Sequence, residues 1–87
     1  MIKVKIHNVK LEGEYFKRVV SGEKNYEIRL NDRDYKQGDI IVLHELCVRA
    51  VELTGKRIIK EIGFITGYEQ KEGYIVMALL NLTNKGN

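Results

Sequence analysis

The sequence predicts a mainly β protein of the α+β class: a small, curled, mostly antiparallel β-barrel with one or two short helices. Three observations predict this fold. Stretches in which apolar and polar residues alternate recur along the chain, and this is the period of half-buried strands. One segment near the start changes to helical spacing. The 87 residues include no proline, which suits central strands because proline removes a ladder hydrogen bond.

The first two predicted elements are a strand and a helix. Alternation over residues 2–6 predicts a strand with three apolar side chains on one face: Ile2, Val4 and Ile6. From Glu14 to Val20 the apolar residues fall on one face of a helix, namely Tyr15, Phe16, Val19 and Val20. Ser21 and Gly22 are expected to end this helix, since glycine adopts the left-handed conformation common at helix ends.

Strands and turns are predicted for the rest of the chain. Over residues 26–30 the alternation places Glu27 and Arg29 together, on the face opposite Tyr26, Ile28 and Leu30. Residues 40–46 form a β-branched run typical of a buried strand, and residues 48–53 suit either a strand or a loop. A tight turn is expected at 54–56, followed by two long strands at 57–66 and 73–82 that the polar segment Tyr68–Glu72 joins.

Composition favours one small intracellular domain. The chain length predicts a single domain, assigned to residues 1–83, with a frayed polar end at 84–87. One cysteine forms no internal disulfide, and the first residues lack the apolar block of a signal peptide, so we expect a cytoplasmic protein with no membrane partner. The net charge of +3 favours a polyanionic partner weakly, because both signs are interleaved along the chain.

Common catalytic and cofactor motifs are absent from the sequence. It contains no glycine-rich nucleotide loop, so we expect no cofactor. His7, His44 and Cys47 lack the paired spacing of a zinc site, so no metal is expected either. Ser21 is better explained as a residue of the helix end than as a nucleophile.

The segment that stands out is residues 21–29, Ser-Gly-Glu-Lys-Asn-Tyr-Glu-Ile-Arg. A helix that ends at Gly22 delivers Lys24 to the start of a strand, and that strand presents Glu27 beside Arg29. Three such side chains are able to surround one concavity between helix and sheet, where a guanidinium recognises a phosphate, a carboxylate or a base edge. The same spacing is also common in surface ion pairs on exposed strands, and the sequence leaves both interpretations open.

Further segments extend this pattern along the chain, and together they resemble the ASCH domain (activating signal cointegrator homology) of the PUA-like superfamily, in its short bacterial and phage branch of uncharacterised proteins. The matching segments are His7 and Lys10, Glu14-Tyr15-Phe16, Ser21–Lys24, Tyr26–Arg29, Asn31–Tyr35, Gly38-Asp39, Thr54–Lys56 and Gly73-Tyr74. The resemblance implies a PUA-like β-barrel with a helix-lined cleft, bordered by Gly22, Lys24, Glu27 and Arg29.

Two classes of function are expected from this resemblance and the residues. In the first, the cleft binds RNA or a modified nucleoside, with tyrosines Tyr15, Tyr26 or Tyr35 for stacking and contacts from Lys10, Lys24, Arg29 and Arg33. In the second, the chain resembles an amidohydrolase that deacetylates N4-acetylcytidine, in which Lys24 would be catalytic, helped by Glu27 and by Glu69 or Glu72. Glu27 departs from that enzyme's pattern, which has threonine at this position. A protein-interaction or regulatory role also stays open, as a monomer or as a weak dimer through an open barrel edge.

Overall fold

Five strands and one helix make up the part of the chain that the computed structural model describes, residues 3–82. In chain order they are β1 (Ile6–Glu12), α1 (Gly13–Ser21), β2 (Tyr26–Leu30), β3 (Ile40–Cys47), β4 (Glu52–Thr66) and β5 (Tyr74–Leu80). The strands form one sheet in the order β1-β3-β4-β5-β2. β1 runs parallel to β3, and the other neighbouring pairs are antiparallel. The prediction of a mainly β fold with a short helix is confirmed; residues 84–87 lie outside the described residues.

The sheet curls into a half-barrel rather than a closed barrel. β1 and β2 are the two edge strands, and the sheet order does not pair them with each other. A side chain bridges them instead, because the Arg29 guanidinium on β2 donates from Nη2 to the Lys10 carbonyl on β1. The opening between β1 and β2 is therefore crossed by a charged side chain and not by a backbone ladder.

The core fills the inner side of this curl. α1 contacts β1 and β3 and buries Phe16 and Val19 against the sheet. Side chains from three strands complete the most buried layer: Ile41, Leu43, Ile62 and Met77. The helix ends as predicted, since Gly22 has φ +86° and donates its N–H to Val19 O. Tyr15 and Val20 lie at the margins of the apolar face and stay 44% and 56% exposed, because a two-turn helix buries only its central stripe.

The predicted first strand is wrong in position and in phase. The structure begins β1 at Ile6, and Val4 and Ile6 are more than half exposed, while Ile2 lies outside the described residues. The inward side chains of β1 are His7, Val9 and Leu11. A histidine is able to occupy the inner face because its Nε2 is hydrogen-bonded to Oδ2 of the buried Asp39 carboxylate, at 2.8 Å.

Asp39 joins the starts of β1 and β3. Its Oδ1 accepts from Lys5 N and its Oδ2 from Lys36 N, both at 3.2 Å, in addition to the bond with His7. Burial raises the pKa of the Asp39 carboxyl, but these hydrogen bonds to the ionised form outweigh it and hold the pKa below its usual value. His7 also packs on the buried Tyr35, with ring centroids 4.7 Å apart.

The tight turn expected at Thr54–Lys56 is also wrong. These residues lie inside β4, where the register with β3 shifts between His44 and Leu46. The turn between the two strands lies earlier, at residues 48–51. Gly55 has positive φ, and Thr54 Oγ1 donates to Glu45 of β3, so the turn-like residues form a bulge. The buried strand at 40–46 and the polar turn before β5 are confirmed, and no helix among residues 3–82 is long and apolar enough to cross a membrane.

Candidate functional site

Strand β2 turns its charged side chains inward and its apolar side chains outward. Glu27 lies opposite Met77 and Arg29 opposite Ile75, both of which belong to or pack against the core. Glu27 is only 3% exposed, whereas Tyr26, Ile28 and Leu30 are 43–50% exposed. The predicted alternation is therefore confirmed, and its polar face is the buried one.

The Glu27 carboxylate lies between two cations. Its Oε1 is 2.5 Å from Lys24 Nζ, and its Oε2 is 2.6 Å from Arg29 Nε. The side chains of the cations are 12% and 24% exposed, so the two positive groups lie between the buried carboxylate and solvent. Because isolated charges are costly to bury, each member of this triad depends on the others.

Further contacts hold the two cations in place. Lys24 Nζ also donates to Tyr26 O at 2.6 Å and lies 4.8 Å from the centre of the Tyr26 ring. Arg29 reaches across the opening to the Lys10 carbonyl. The helix end at Gly22 sets this up, since Lys24 N donates to Arg18 O and the chain then enters β2 at once.

The open edge of β2 adds backbone groups to the same region. Leu79 N donates to Asn25 O, and Asn31 N donates to Gly73 O. The backbone N–H and C=O groups of the odd-numbered residues of β2 therefore point toward β5. In an antiparallel ladder the residues between them point their N–H and C=O groups the other way. The backbone groups of Ile28 therefore point toward β1.

These groups line one cleft between β1, α1 and β2, with a volume of about 560 Å³. Six predicted site residues line it: Lys10, Tyr15, Lys24, Tyr26, Glu27 and Arg29. The remaining lining residues are Leu11, Glu12, Ile28, Leu30 and Asp32. The sequence did not point to two of these, Glu12 and Asp32, as site residues. Glu12 precedes the predicted helix, and Asp32 lies in the predicted turn after β2. The volume lies within the range of small-molecule sites.

Other predicted site residues lie elsewhere. Gly22 forms the helix end, and Arg33 is exposed in the loop after β2; neither lines the cleft. Glu69 and Glu72 lie in the turn between β4 and β5 and do not line it either. Tyr35 is 4% exposed against His7, so it offers no stacking surface, and burial raises the pKa of its hydroxyl.

A second concavity of about 770 Å³ lies on another side of α1. It contains Arg18, whose guanidinium pairs at 2.8 Å with the exposed Glu23, and the partly buried Cys47. Among residues 3–82 no three His, Cys, Asp or Glu side chains are grouped to hold a metal ion. The chemically distinctive arrangement of the described chain is therefore the Lys24–Glu27–Arg29 cleft.

The fold and the cleft define the class of protein: a β half-barrel with a charged cleft between its two edge strands. Residues 6–79 match the family model described as a domain of unknown function, DUF3850, and the chain belongs to that family. It is 39% identical over 74 residues, 84% of its length, to an "Uncharacterized 12.9 kDa protein in GpA 3'region" of Escherichia phage P2. The chain spans 66% of that phage protein's length.

Proposed function

We propose that the cleft binds an unpaired nucleobase, presented by single-stranded RNA or by a free modified nucleoside, and that the chain is a cytoplasmic RNA- or nucleoside-binding domain of the ASCH/PUA-like kind. The observation that carries the proposal is the convergence of Lys24, Glu27 and Arg29 in one accessible cleft. The half-barrel and the helix that lines the cleft are consistent with the resemblance in sequence.

The hydrogen-bonding capacity left in the triad suits a base edge. Arg29 carries five N–H donors, and its described contacts engage one on Nε and one on Nη2. Each Glu27 oxygen accepts a hydrogen bond from one cation and keeps the capacity to accept another from an exocyclic amine. With the Ile28 backbone beside them, these groups provide both donors and acceptors, as recognition of an unpaired base requires.

Two tyrosines provide the apolar part of such a site. Tyr15 from α1 and Tyr26 from β2 both line the cleft and are 44% and 43% exposed. Stacking of a base on an aromatic ring contributes about 1–3 kcal/mol to binding. A buried ionic triad is weak evidence for stability, because well-packed apolar residues often stabilise a protein as much. Its presence at an open cleft is therefore better explained by ligand recognition.

Calorimetric titration tests the proposal with a panel of nucleosides, N4-acetylcytidine among them, and with single-stranded RNA oligonucleotides. Arg29→Lys keeps the charge but removes the planar fork, and we expect it to weaken binding at least about tenfold. Tyr15→Ala is expected to have a similar effect. The matched controls are Arg33→Lys and Tyr68→Ala, which make the same changes outside the cleft and should leave nucleoside binding unchanged.

Two results would overturn this proposal. The first is failure of folded protein to bind any nucleoside or oligonucleotide of the panel. The second is equal loss of nucleoside affinity in the cleft variants and their controls. Chromatography of the N4-acetylcytidine sample tests the hydrolase alternative: cytidine produced by wild type and not by Lys24→Ala would replace a binding function by an enzymatic one.

A further inference from the structure

The outer face of β2, β5 and the last residues of β4 is mainly apolar, and Glu61, opposite Leu80, lies at its charged margin. The ladder places Tyr26 opposite Ala78, Ile28 opposite Val76 and Leu30 opposite Tyr74, and Thr66 lies opposite Val76 on the other side of β5. Directly opposed residues project from the same face of a sheet. We call this surface the outer face; it comprises Tyr26, Ile28, Leu30, Phe64, Thr66, Tyr74, Val76, Ala78 and Leu80. Charged residues make up 31% of the chain, yet none lies among these nine.

Phe64 is the most exposed large residue of this surface, at 69%. The register between β4 and β5 shifts between Ile62 and Ile65, opposite Ala78. With Tyr26, Val76 and Leu80, Phe64 lines a shallow apolar groove of about 260 Å³. The groove and the flanking side chains form one continuous apolar patch.

The area of the patch is large enough for a stable interface. Its six large side chains are between 38% and 69% exposed: Tyr26, Ile28, Leu30, Phe64, Tyr74 and Leu80. At roughly 200 Å² for each large side chain, they expose about 600 Å² of mainly apolar surface, the upper end for a monomer. Homodimer interfaces are about 65% apolar. If this patch forms the apolar part of such an interface, the whole interface covers about 900 Å² on each partner, above the roughly 800 Å² of a standard interface.

We propose that two copies of this chain pack together through the outer face, about a two-fold axis. A nucleic acid would require cations, and the outer face has none. An added strand would require an unpaired edge, but β5, at the centre of the face, is paired on both sides by β4 and β2. A second copy provides an apolar face of the same size and, through two-fold symmetry, the same residues.

The proposed contact uses the face of the sheet and not its open edge. The free edges of β1 and β2 face each other and are joined through Arg29. Glu27 and Arg29 project to the inner side of β2, away from the proposed contact, whereas Tyr26, Ile28 and Leu30 belong to the outer face and also line the cleft. Phe64 lines the outer groove and not the cleft, so a substitution of Phe64 tests the dimer without changing the lining of the cleft.

Sedimentation velocity across a wide range of concentrations tests this proposal with wild type, Phe64→Glu and Tyr68→Glu. Wild type should show a reversible monomer–dimer equilibrium that high salt does not weaken, since apolar contacts are not screened. Phe64→Glu should raise the dissociation constant at least about tenfold. Tyr68→Glu is the matched control, because Tyr68 is 78% exposed and lies outside the outer face; its dimer should persist.

Circular dichroism and thermal melts test whether each variant is folded. We expect both variants to fold, because both substituted side chains are exposed. Wild-type protein that stays monomeric up to about millimolar concentration would overturn the proposal. A dissociation constant of about 1 mM corresponds to a binding free energy of only about 4 kcal/mol. A dimer of undiminished affinity in Phe64→Glu would place the interface elsewhere and would overturn it as well. Loss of RNA binding in Phe64→Glu without any dimer in wild type would reassign the face to the ligand.

Discussion

Substitution Glu27→Gln removes the charge at the centre of the cleft triad while keeping the shape of the side chain. In the folded protein the Glu27 side chain is 4% exposed and lies within 2.6 Å of both cations. The glutamine amide leaves Lys24 and Arg29 facing each other with no negative group between them. Both cations then lose their best partner and repel each other.

The expected loss in the free energy of unfolding depends on how exposed the three charged groups are. Removing one partner of a fully buried ion pair costs about 3–5 kcal/mol. Lys24 and Arg29 keep 12% and 24% of their side-chain surface exposed and are able to regain part of their hydration. We therefore expect Glu27→Gln to lower the free energy of unfolding by about 2–4 kcal/mol. A domain of this size has a stability of about 4–13 kcal/mol, so the melting temperature should fall by about 10–25 °C.

Urea denaturation at pH 7 measures this change, with Glu23→Gln as the matched control. Glu23 also accepts a charged hydrogen bond, from Arg18 at 2.8 Å, but the two side chains are 64% and 45% exposed. An exposed pair contributes about 0–1 kcal/mol, so the control should change stability little. In a double-mutant cycle, Glu27→Gln combined with Arg29→Gln should cost less than the sum of the single changes.

Equal effects of Glu27→Gln and Glu23→Gln would refute this reasoning, because they would mean that the cleft carboxylate is as well solvated as a surface one. Strict additivity in the cycle would refute the direct coupling of Glu27 to Arg29.

Three further predictions concern parts of the fold outside the cleft. The pKa of Asp39 is held below its usual value in the folded protein, so its carboxylate stabilises the fold above about pH 4 and loses this effect as the pH falls through the lowered pKa. Asp39→Asn should therefore cost stability at pH 7, with a difference from wild type that shrinks toward pH 2 in denaturation curves; a constant difference would contradict the assignment. Val51 is 80% exposed with φ +53°, so Val51→Gly should raise the free energy of unfolding by about 1 kcal/mol. Gly22→Ala should lower it by about 1 kcal/mol, because alanine is strained at φ +86°, and an unchanged melting temperature would show that the helix end has relaxed.

Local patterns in the sequence were enough to predict the helix end at Gly22, the buried strand β3 and the alternation of β2. Each depends on groups within a few residues of one another. The first strand was placed wrongly because Ile2–Ile6 and Ile6–Glu12 both alternate, in opposite phases. The second phase buries Val9 and Leu11 in the core, and the pairing of His7 with Asp39, 32 residues away in sequence, allows a histidine to share that face.

The sequence by itself determined the class of fold, the position of the helix and the spacing that keeps Glu27 and Arg29 on one face of a strand. Tertiary structure decided that this face is the inner one, and that the bridge to Lys10 crosses the opening of the half-barrel. It also left the apolar residues of the same strand on the outside. The physical reason is that alternation fixes which residues share a face, while the choice of face depends on long-range pairing and on charges that compensate one another only after the sheet has curled.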